Sequence, residues 1–91
     1  MDFTINFNKA AFGHKIKKED IIMAFDNVEY DAVLEEDDPD AEDKHLLIGF
    51  DRKANLIEVL YNVIDVDRIR VFHAMRCRSQ FIPLLRDRRK K

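Results

Sequence analysis

The chain has 91 residues, which is enough for one hydrophobic core but too few for two domains. Its only cysteine, Cys77, excludes an intrachain disulfide and a cysteine-based zinc site. The longest apolar runs are about five residues, against the roughly 20 that a membrane-spanning helix needs. Polar residues interrupt positions 1–12, which argues against a signal peptide. These features predict a cytoplasmic protein.

The net charge of −2 conceals two oppositely charged parts. Residues 1–65 carry 7 Lys or Arg against 16 Asp or Glu, a net of −9. Residues 66–91 carry 9 Lys or Arg against 2 Asp, a net of +7. Such a division predicts an anionic partner for the basic end. The alternative is that the two parts neutralise each other within the fold.

The first third of the chain predicts a short strand followed by helices. Apolar residues alternate in Phe3–Phe7, as they do in a half-buried strand. Asn8 is a suitable cap for a helical segment over Lys9–Phe12. The next segment, Lys17–Asp26, combines an apolar face with two acids in its first turn, which is typical of a helix.

From Val28 onwards the apolar period changes to two, which predicts strands. The strand that begins at Val28 is followed by a dense acidic loop, Glu35–Asp43. Because this loop lacks the spaced ligands and the glycine of an EF-hand, we expect a solvated loop rather than a calcium site. Further strands are predicted at Lys44–Phe50, Leu56–Val63 and Arg68–Met75, the second of which is apolar enough for the centre of a sheet.

This order of elements predicts an α+β fold in which N-terminal helices pack on an antiparallel β-meander. The segment from Ser79 can form a short C-terminal helix, which Pro83 limits unless it lies in the first turn. We expect residues 1–85 to form a single domain and residues 86–91 to form a basic C-terminal tail. The tail either adds salt-dependent contacts to RNA or an acidic partner, or serves only solubility.

The densest polar cluster lies on the last predicted strand and just beyond it, and consists of four arginines and a histidine: Arg68, Arg70, His73, Arg76 and Arg78. Arginine matches phosphate oxygens, and histidine transfers protons near neutral pH. A metal-independent ribonuclease requires these groups. Strict strand alternation puts Arg70 and His73 on opposite faces unless a bulge or the strand end intervenes. The alternative for His73 is a half-buried structural histidine.

Two other residues are candidates for proton transfer. His14 lies beside three lysines, and it is either a second proton carrier or an exposed histidine without a role. Glu58 lies in the most apolar strand, where it faces solvent or pairs with an arginine such as Arg70, and it is a candidate general base. The three histidines have no short metal-ligand spacing and no cofactor motif is present, so we expect neither a metal site nor a cofactor.

Six short stretches follow one another over residues 3–85: Ile5–Ala11, His14–Ile16, Glu19–Phe25, Glu42–Gly49, Leu56–Tyr61 and Ile69–Arg76. In this order they resemble the BrnT family of bacterial toxins, a branch of the RelE-like ribonuclease fold. The resemblance implies a toxin of a type II toxin–antitoxin system that cleaves RNA and inhibits translation. It also implies an antitoxin partner, typically a ribbon-helix-helix DNA-binding protein.

The resemblance also indicates which basic residues matter. The family positions important for toxicity that match this chain are His14, Lys44, Arg70 and Arg76. These four and His73 are our predicted catalytic residues. The residues predicted to bind RNA are Arg68, Arg78, Arg86, Arg88 and Arg89. The alternative function is a non-enzymatic interaction module, a degenerate toxin that binds an acidic protein or nucleic acid.

Overall fold

The computed structural model describes residues 3–34, 40 and 43–89, with side chains described up to residue 85. The predicted acidic loop therefore lies outside the described residues except for Asp40 and Asp43. In chain order the elements are β1 (Thr4–Phe7), a first 3-10 helix (Lys9–Phe12), α1 (Lys18–Asp26), β2 (Val28–Leu34), β3 (Lys44–Phe50), β4 (Leu56–Asp65), β5 (Arg68–Arg76), a second 3-10 helix (Ser79–Phe81) and α2 (Ile82–Arg89).

The five strands form one mixed sheet in the order β1-β5-β4-β3-β2. From β2 to β5, each strand is antiparallel to the next one along the chain. The first strand lies at the far edge and pairs parallel with β5, with Thr4 opposite Arg68 and Phe7 opposite Val71. The N-terminal strand is thus placed beside the last strand of the sheet.

The predicted architecture of N-terminal helices packed on an antiparallel β-meander, in a RelE-like arrangement, is wrong. The described chain is mostly a five-stranded mixed sheet with only two short helices, of nine and eight residues. The predicted helical segment Lys9–Phe12 is a single 3-10 turn, closed by a hydrogen bond from the Gly13 N–H to the Ala10 carbonyl. The parallel edge was missed because four alternating residues do not specify which strand they pair with.

One side of the sheet, here called the α1 face, buries an apolar core. The β4 residues Ile57, Val59 and Tyr61 share this core with Ile21 and Ala24 of α1. The helix lies so close to β3 that a side chain at Gly49 would place its Cβ 2.3 Å from the Ala24 carbonyl oxygen. Glycine is therefore required at Gly49 by close approach of two backbones.

The opposite side, here called the α2 face, has a smaller apolar cluster. Leu46 and Ile48 of β3 pack there with Leu85 of α2. Strand β4 contributes Leu60 and Glu58 to this face, since residues two apart on a strand point the same way. The carboxylate of Glu58 is thus carried into the interior beneath the C-terminal segment.

Candidate functional site

Glu58 is a fully buried carboxylate on the α2 face, and its side chain exposes 0% of its surface. The Arg78 guanidinium binds it in a fork: Nε donates to Oε1 at 3.0 Å and Nη2 donates to Oε2 at 2.8 Å. The backbone N–H of Arg78 donates to Oε1 as well, at 3.0 Å. Charge-assisted, bidentate pairing of this kind is the arrangement that makes a buried carboxylate tolerable.

The end of β5 explains how Arg78 reaches the carboxylate. The Cys77 N–H donates to the Leu56 carbonyl at 3.0 Å, which extends the pairing with β4 by one residue. Arg78 then takes an extended conformation as the residue before the second 3-10 helix. Its guanidinium also lies 5.3 Å from the ring centre of Phe81, a cation–π contact that holds it over the strand.

Two opposing effects set the protonation of Glu58. Burial raises its pKa, while the hydrogen bonds from Arg78 and His73 lower it, and the net result is a pKa below the ordinary value. The carboxylate is therefore ionised at neutral pH. Burial and the Glu58 charge raise the pKa of the neighbouring Cys77 thiol, so Cys77 stays protonated and is not an activated nucleophile.

His73 is the second group bound to Glu58. Its Nε2 lies 3.2 Å from Glu58 Oε2, and its side chain is 21% exposed. When Nε2–H donates a hydrogen bond to the carboxylate, the neutral ring carries its lone pair on Nδ1. Glu58 thus orients His73 in the way that a carboxylate orients the histidine of a catalytic triad.

A β-bulge places His73 on the α2 face. Leu60 pairs with His73 but the next residue, Tyr61, pairs with Val71, so Phe72 is the extra residue of β5. Arg70 pairs with Asn62, two positions from Leu60, so Arg70 and His73 project from the same side of the sheet. Strict alternation would place Arg70 and His73 on opposite faces, and this bulge brings them to the same face.

His14 lies against His73. The two ring centres are 5.4 Å apart with the planes at 74°, an edge-to-face contact. His14 itself is exposed, and it follows the first 3-10 helix, which contacts β5 beyond the end of β1. Its neighbour Lys15 adopts a positive φ of 64°, which turns the chain sharply at this point. Of the five predicted catalytic residues, these two histidines come into direct contact.

The other three predicted catalytic residues lie elsewhere. Arg76 is on the α1 face, where its Nη1 is 3.9 Å from Asp51 Oδ2. Arg70 lines a shallow pocket of about 320 Å³ with His45, toward the other end of β5. Lys44 is exposed at the start of β3, two strands away from β5. The structure therefore brings His14 and His73 into contact, whereas the three predicted cations lie at separate positions on the sheet.

The predicted RNA-binding arginines also separate. Arg68 is exposed at the start of β5 and pairs with Thr4, far from the histidines along the strand. Arg78 forms the ion pair described above. The remaining three, Arg86, Arg88 and Arg89, are in α2, and their side chains fall outside the described residues, as do residues 90 and 91.

Sequence reasoning recognised Glu58 but not its partners. A charged residue within the most apolar strand predicts a carboxylate that either faces solvent or pairs with an arginine such as Arg70, and Glu58 is buried and paired with a different arginine. The actual partners, Arg78 and His73, are 20 and 15 residues from Glu58. The available signal was the pairing itself: β4 and β5 form a hairpin, so a residue just past the end of β5 lies near the start of β4.

No known protein family matches the chain when family sequence profiles are compared with it, and no curated protein is significantly similar to it. The resemblance to the BrnT toxins thus stays a prediction. Within the described ranges, no helix is long and apolar enough to cross a membrane. The same ranges contain no cluster of three or more His, Cys, Asp or Glu side chains arranged to hold a metal ion.

Proposed function

We propose that this protein is a metal-independent endoribonuclease, a cytoplasmic toxin of the BrnT type that cleaves RNA and inhibits translation. One observation carries the proposal: His73 is hydrogen-bonded to the buried carboxylate of Glu58 and makes an edge-to-face contact with the ring of His14. Two histidines within reach of one phosphate provide a base and an acid, which are the groups needed for cleavage by the RNA's own 2′-hydroxyl.

The chemistry follows from these groups. One histidine removes the 2′-hydroxyl proton as the 2′-oxygen attacks the adjacent phosphorus, and the other donates a proton to the departing 5′-oxygen. The P–O5′ bond breaks, which leaves a 2′,3′-cyclic phosphate and a 5′-hydroxyl. Arg70, on the face that carries His73, supplies positive charge near the phosphorane.

The direct test is cleavage of an end-labelled RNA by purified protein in the presence of EDTA. We expect fragments that end in 2′,3′-cyclic phosphate, and no cleavage of the same sequence with 2′-deoxyribose. His14→Gln and His73→Gln should each lower the rate by about 100-fold or more, the usual contribution of a positioned acid or base. Intact RNA after long incubation with the wild type would contradict the proposal.

His45→Gln is the matched control. His45 stacks on Tyr61 with ring centres 4.8 Å apart, on the side of the sheet away from His73. The same substitution there should leave the cleavage rate within about twofold of the wild type. A loss equal to that of the other two variants would show that removal of any histidine impairs the protein, and would remove the support for His14 and His73.

Expression in bacteria tests the toxin part of the proposal. We expect growth arrest when the chain is produced without an antitoxin, and relief by Arg70→Ala. We also expect a ribbon-helix-helix protein encoded in the adjacent reading frame to bind the chain and restore growth. Harmless expression of the wild type at high yield would contradict a toxic activity.

A non-enzymatic binding module is the second candidate, and one observation favours it. Arg78 binds Glu58 directly and Arg76 lies close to Asp51, so two of the predicted site arginines are engaged within the protein. This candidate predicts salt-sensitive binding of RNA or an acidic protein with no RNA fragments. Gel analysis of the bound RNA after overnight incubation separates the two candidates.

A further inference from the structure

A second cluster of positive charge lies on the opposite side of β5 from His73. It is a cleft of about 170 Å³, lined by five cations and two carboxylates: Lys15, Lys17, Arg52, Lys53, Arg76, Asp20 and Asp51. The net of three positive charges contrasts with the net of −2 for the whole chain. Its volume is below the roughly 300 Å³ of the smallest drug-sized pockets, but it is open to a single anionic group.

Both carboxylates of this basic cleft are already engaged. Asp20 binds Arg52, with Oδ1 2.8 Å from the guanidinium Nε, and this partner lowers the pKa of Asp20. Asp51 accepts hydrogen bonds at 2.9 Å from the backbone N–H groups of Lys53 and Asn55, and lies 3.9 Å from Arg76. The carboxylates therefore fix the walls of the cleft and leave its positive charge in excess.

Three lysines of the cleft supply that excess charge. Among the residues that the structure describes, no carboxylate forms an ion pair with Lys15, Lys17 or Lys53. Like charges held near one another repel, so an arrangement of this kind is stabilised by a bound anion. Lysine binds phosphate as a point charge.

The chain connects this cleft to the histidine pair at two places. His14 and Lys15 are consecutive, so their Cα atoms are about 3.8 Å apart. Arg76 follows His73 by three residues, about 10 Å along a strand. Because phosphates recur every few ångströms along a nucleic-acid strand, a strand bound at the histidines reaches the cleft within a few nucleotides.

We infer that the basic cleft binds a backbone phosphate of the RNA strand whose scissile phosphate lies at His14 and His73. This inference rests on the proposed function for the identity of the strand. It adds a second anchor on the other side of β5, which positions the substrate without taking part in proton transfer. Recognition through phosphate alone gives affinity and register but no base preference.

The test measures binding without cleavage. A fluorescent 2′-O-methyl oligonucleotide carries the same phosphates but has no 2′-hydroxyl to attack, and fluorescence anisotropy gives its Kd at several salt concentrations. Lys15→Ser with Lys53→Ser should raise Kd by about tenfold at low salt. The slope of log Kd against log salt should fall by about 0.7, which is the contribution of one phosphate contact on a single strand.

Lys9→Ser with Lys18→Ser is the matched control, because it removes the same number of charges from exposed lysines outside the cleft. It should change the slope by less than about 0.3. Equal losses in both double variants would overturn the inference, as would a wild type that does not bind. Inorganic pyrophosphate that binds the cleft as tightly as the oligonucleotide would also overturn it, in favour of a small-anion site.

Lys15→Gly provides a readout that loss of folding does not imitate. Lys15 has a φ of 64°, a conformation that costs a residue with a side chain but not glycine. This variant should therefore melt at a higher temperature than the wild type while it binds the oligonucleotide more weakly. Weaker binding accompanied by lower stability would count against the cleft.

The cleavage assay separates this inference from the proposed function. Binding that depends on Lys15 and Lys53 but produces no RNA fragments would support the phosphate-binding cleft and contradict the ribonuclease activity. Cleavage at an unchanged rate in the Lys15 and Lys53 variants would support the ribonuclease activity and contradict the cleft.

Discussion

The two faces of the sheet solve the problem of burial differently. On the α1 face, α1 packs so closely on β3 that only glycine fits at Gly49, and the described contacts are mainly apolar. On the α2 face, the interior holds an ionised carboxylate, Glu58, with Arg78 and His73 bound to it. The first face contributes stability through packing. The second gives up apolar contact and instead holds an ion pair and a histidine in fixed positions.

The largest expected effect comes from a substitution that disrupts packing on the α1 face. Gly49→Ala would place a methyl group 2.3 Å from the Ala24 carbonyl oxygen, so α1 must move away from β3. We expect a loss of about 3 kcal/mol in the free energy of unfolding, at the upper end for overpacking. Urea denaturation measures it.

Gly13→Ala is the control for that substitution. Gly13 has a φ of −64°, and a Cβ there would meet its nearest atom at an ordinary 3.4 Å. The free energy of unfolding should change by less than about 1 kcal/mol, since alanine adopts this conformation without strain. If both variants lost the same stability, close packing at Gly49 would not be the cause.

The next largest effect comes from substituting, in separate variants, each partner of the ion pair on the α2 face. Glu58→Leu replaces the carboxylate with an apolar group of similar size, while the partly exposed Arg78 regains water, so we expect a change within about 1 kcal/mol. Arg78→Leu instead leaves a fully buried carboxylate without its main partner, so it should destabilise the protein more. Denaturation of both variants gives the order, and the reverse order would contradict the burial of Glu58.

Acid should unfold the protein through the α2 face. The folded-state pKa of Glu58 lies below its ordinary value of 4.5, so the unfolded state binds protons more readily. Its contribution to stability is present above that ordinary value and is lost as pH falls through the lower folded value. In thermal melts, the melting temperature of Glu58→Leu should fall less between pH 7 and pH 3 than that of the wild type. Parallel declines would show that Glu58 does not control acid stability.

Alkali should produce the smallest effect, through the α1 face. Burial and the hydrogen bond that the Tyr61 hydroxyl donates to the Asp31 carboxylate raise the pKa of Tyr61 above its ordinary value of 10.0. The folded state therefore keeps this proton, and stability falls as pH rises above 10. Tyr61→Phe should flatten that decline, at a cost of about 1 kcal/mol at neutral pH for the lost hydrogen bond. An unchanged alkaline limb would contradict a buried, hydrogen-bonded hydroxyl.

Local structure was predictable from the sequence, because it depends on neighbouring residues. Alternation from Val28 onwards and the nearly continuous apolar run at Leu56 predicted four strands, beginning at Val28, Lys44, Leu56 and Arg68. Each is present with ends within a few residues of the predicted ones. The apolar face of Lys17–Asp26 likewise corresponds to α1, Lys18–Asp26. These patterns are set by burial on one side of a strand or helix, which a single segment records.

The arrangement of these elements was not predictable from the same patterns. The parallel partner of β1 is more than sixty residues away, and no property of Thr4–Phe7 identifies it. The bulge at Phe72 depends on how two strands twist against each other, so strict alternation separated Arg70 from His73. Of the predicted catalytic residues, His14 and His73 meet only because the sheet brings the two ends of the described chain together.

The place of β1 also has a consequence during protein synthesis. Thr4 pairs with Arg68, 64 positions later, so the first strand waits about 3–13 s at the usual rates of translation before its partner is made. His14, which follows β1, cannot meet His73 until β5 has left the ribosome. If the protein cleaves RNA, the nascent chain cannot cleave it until β5 has emerged, and fragments that end before β5 are inactive.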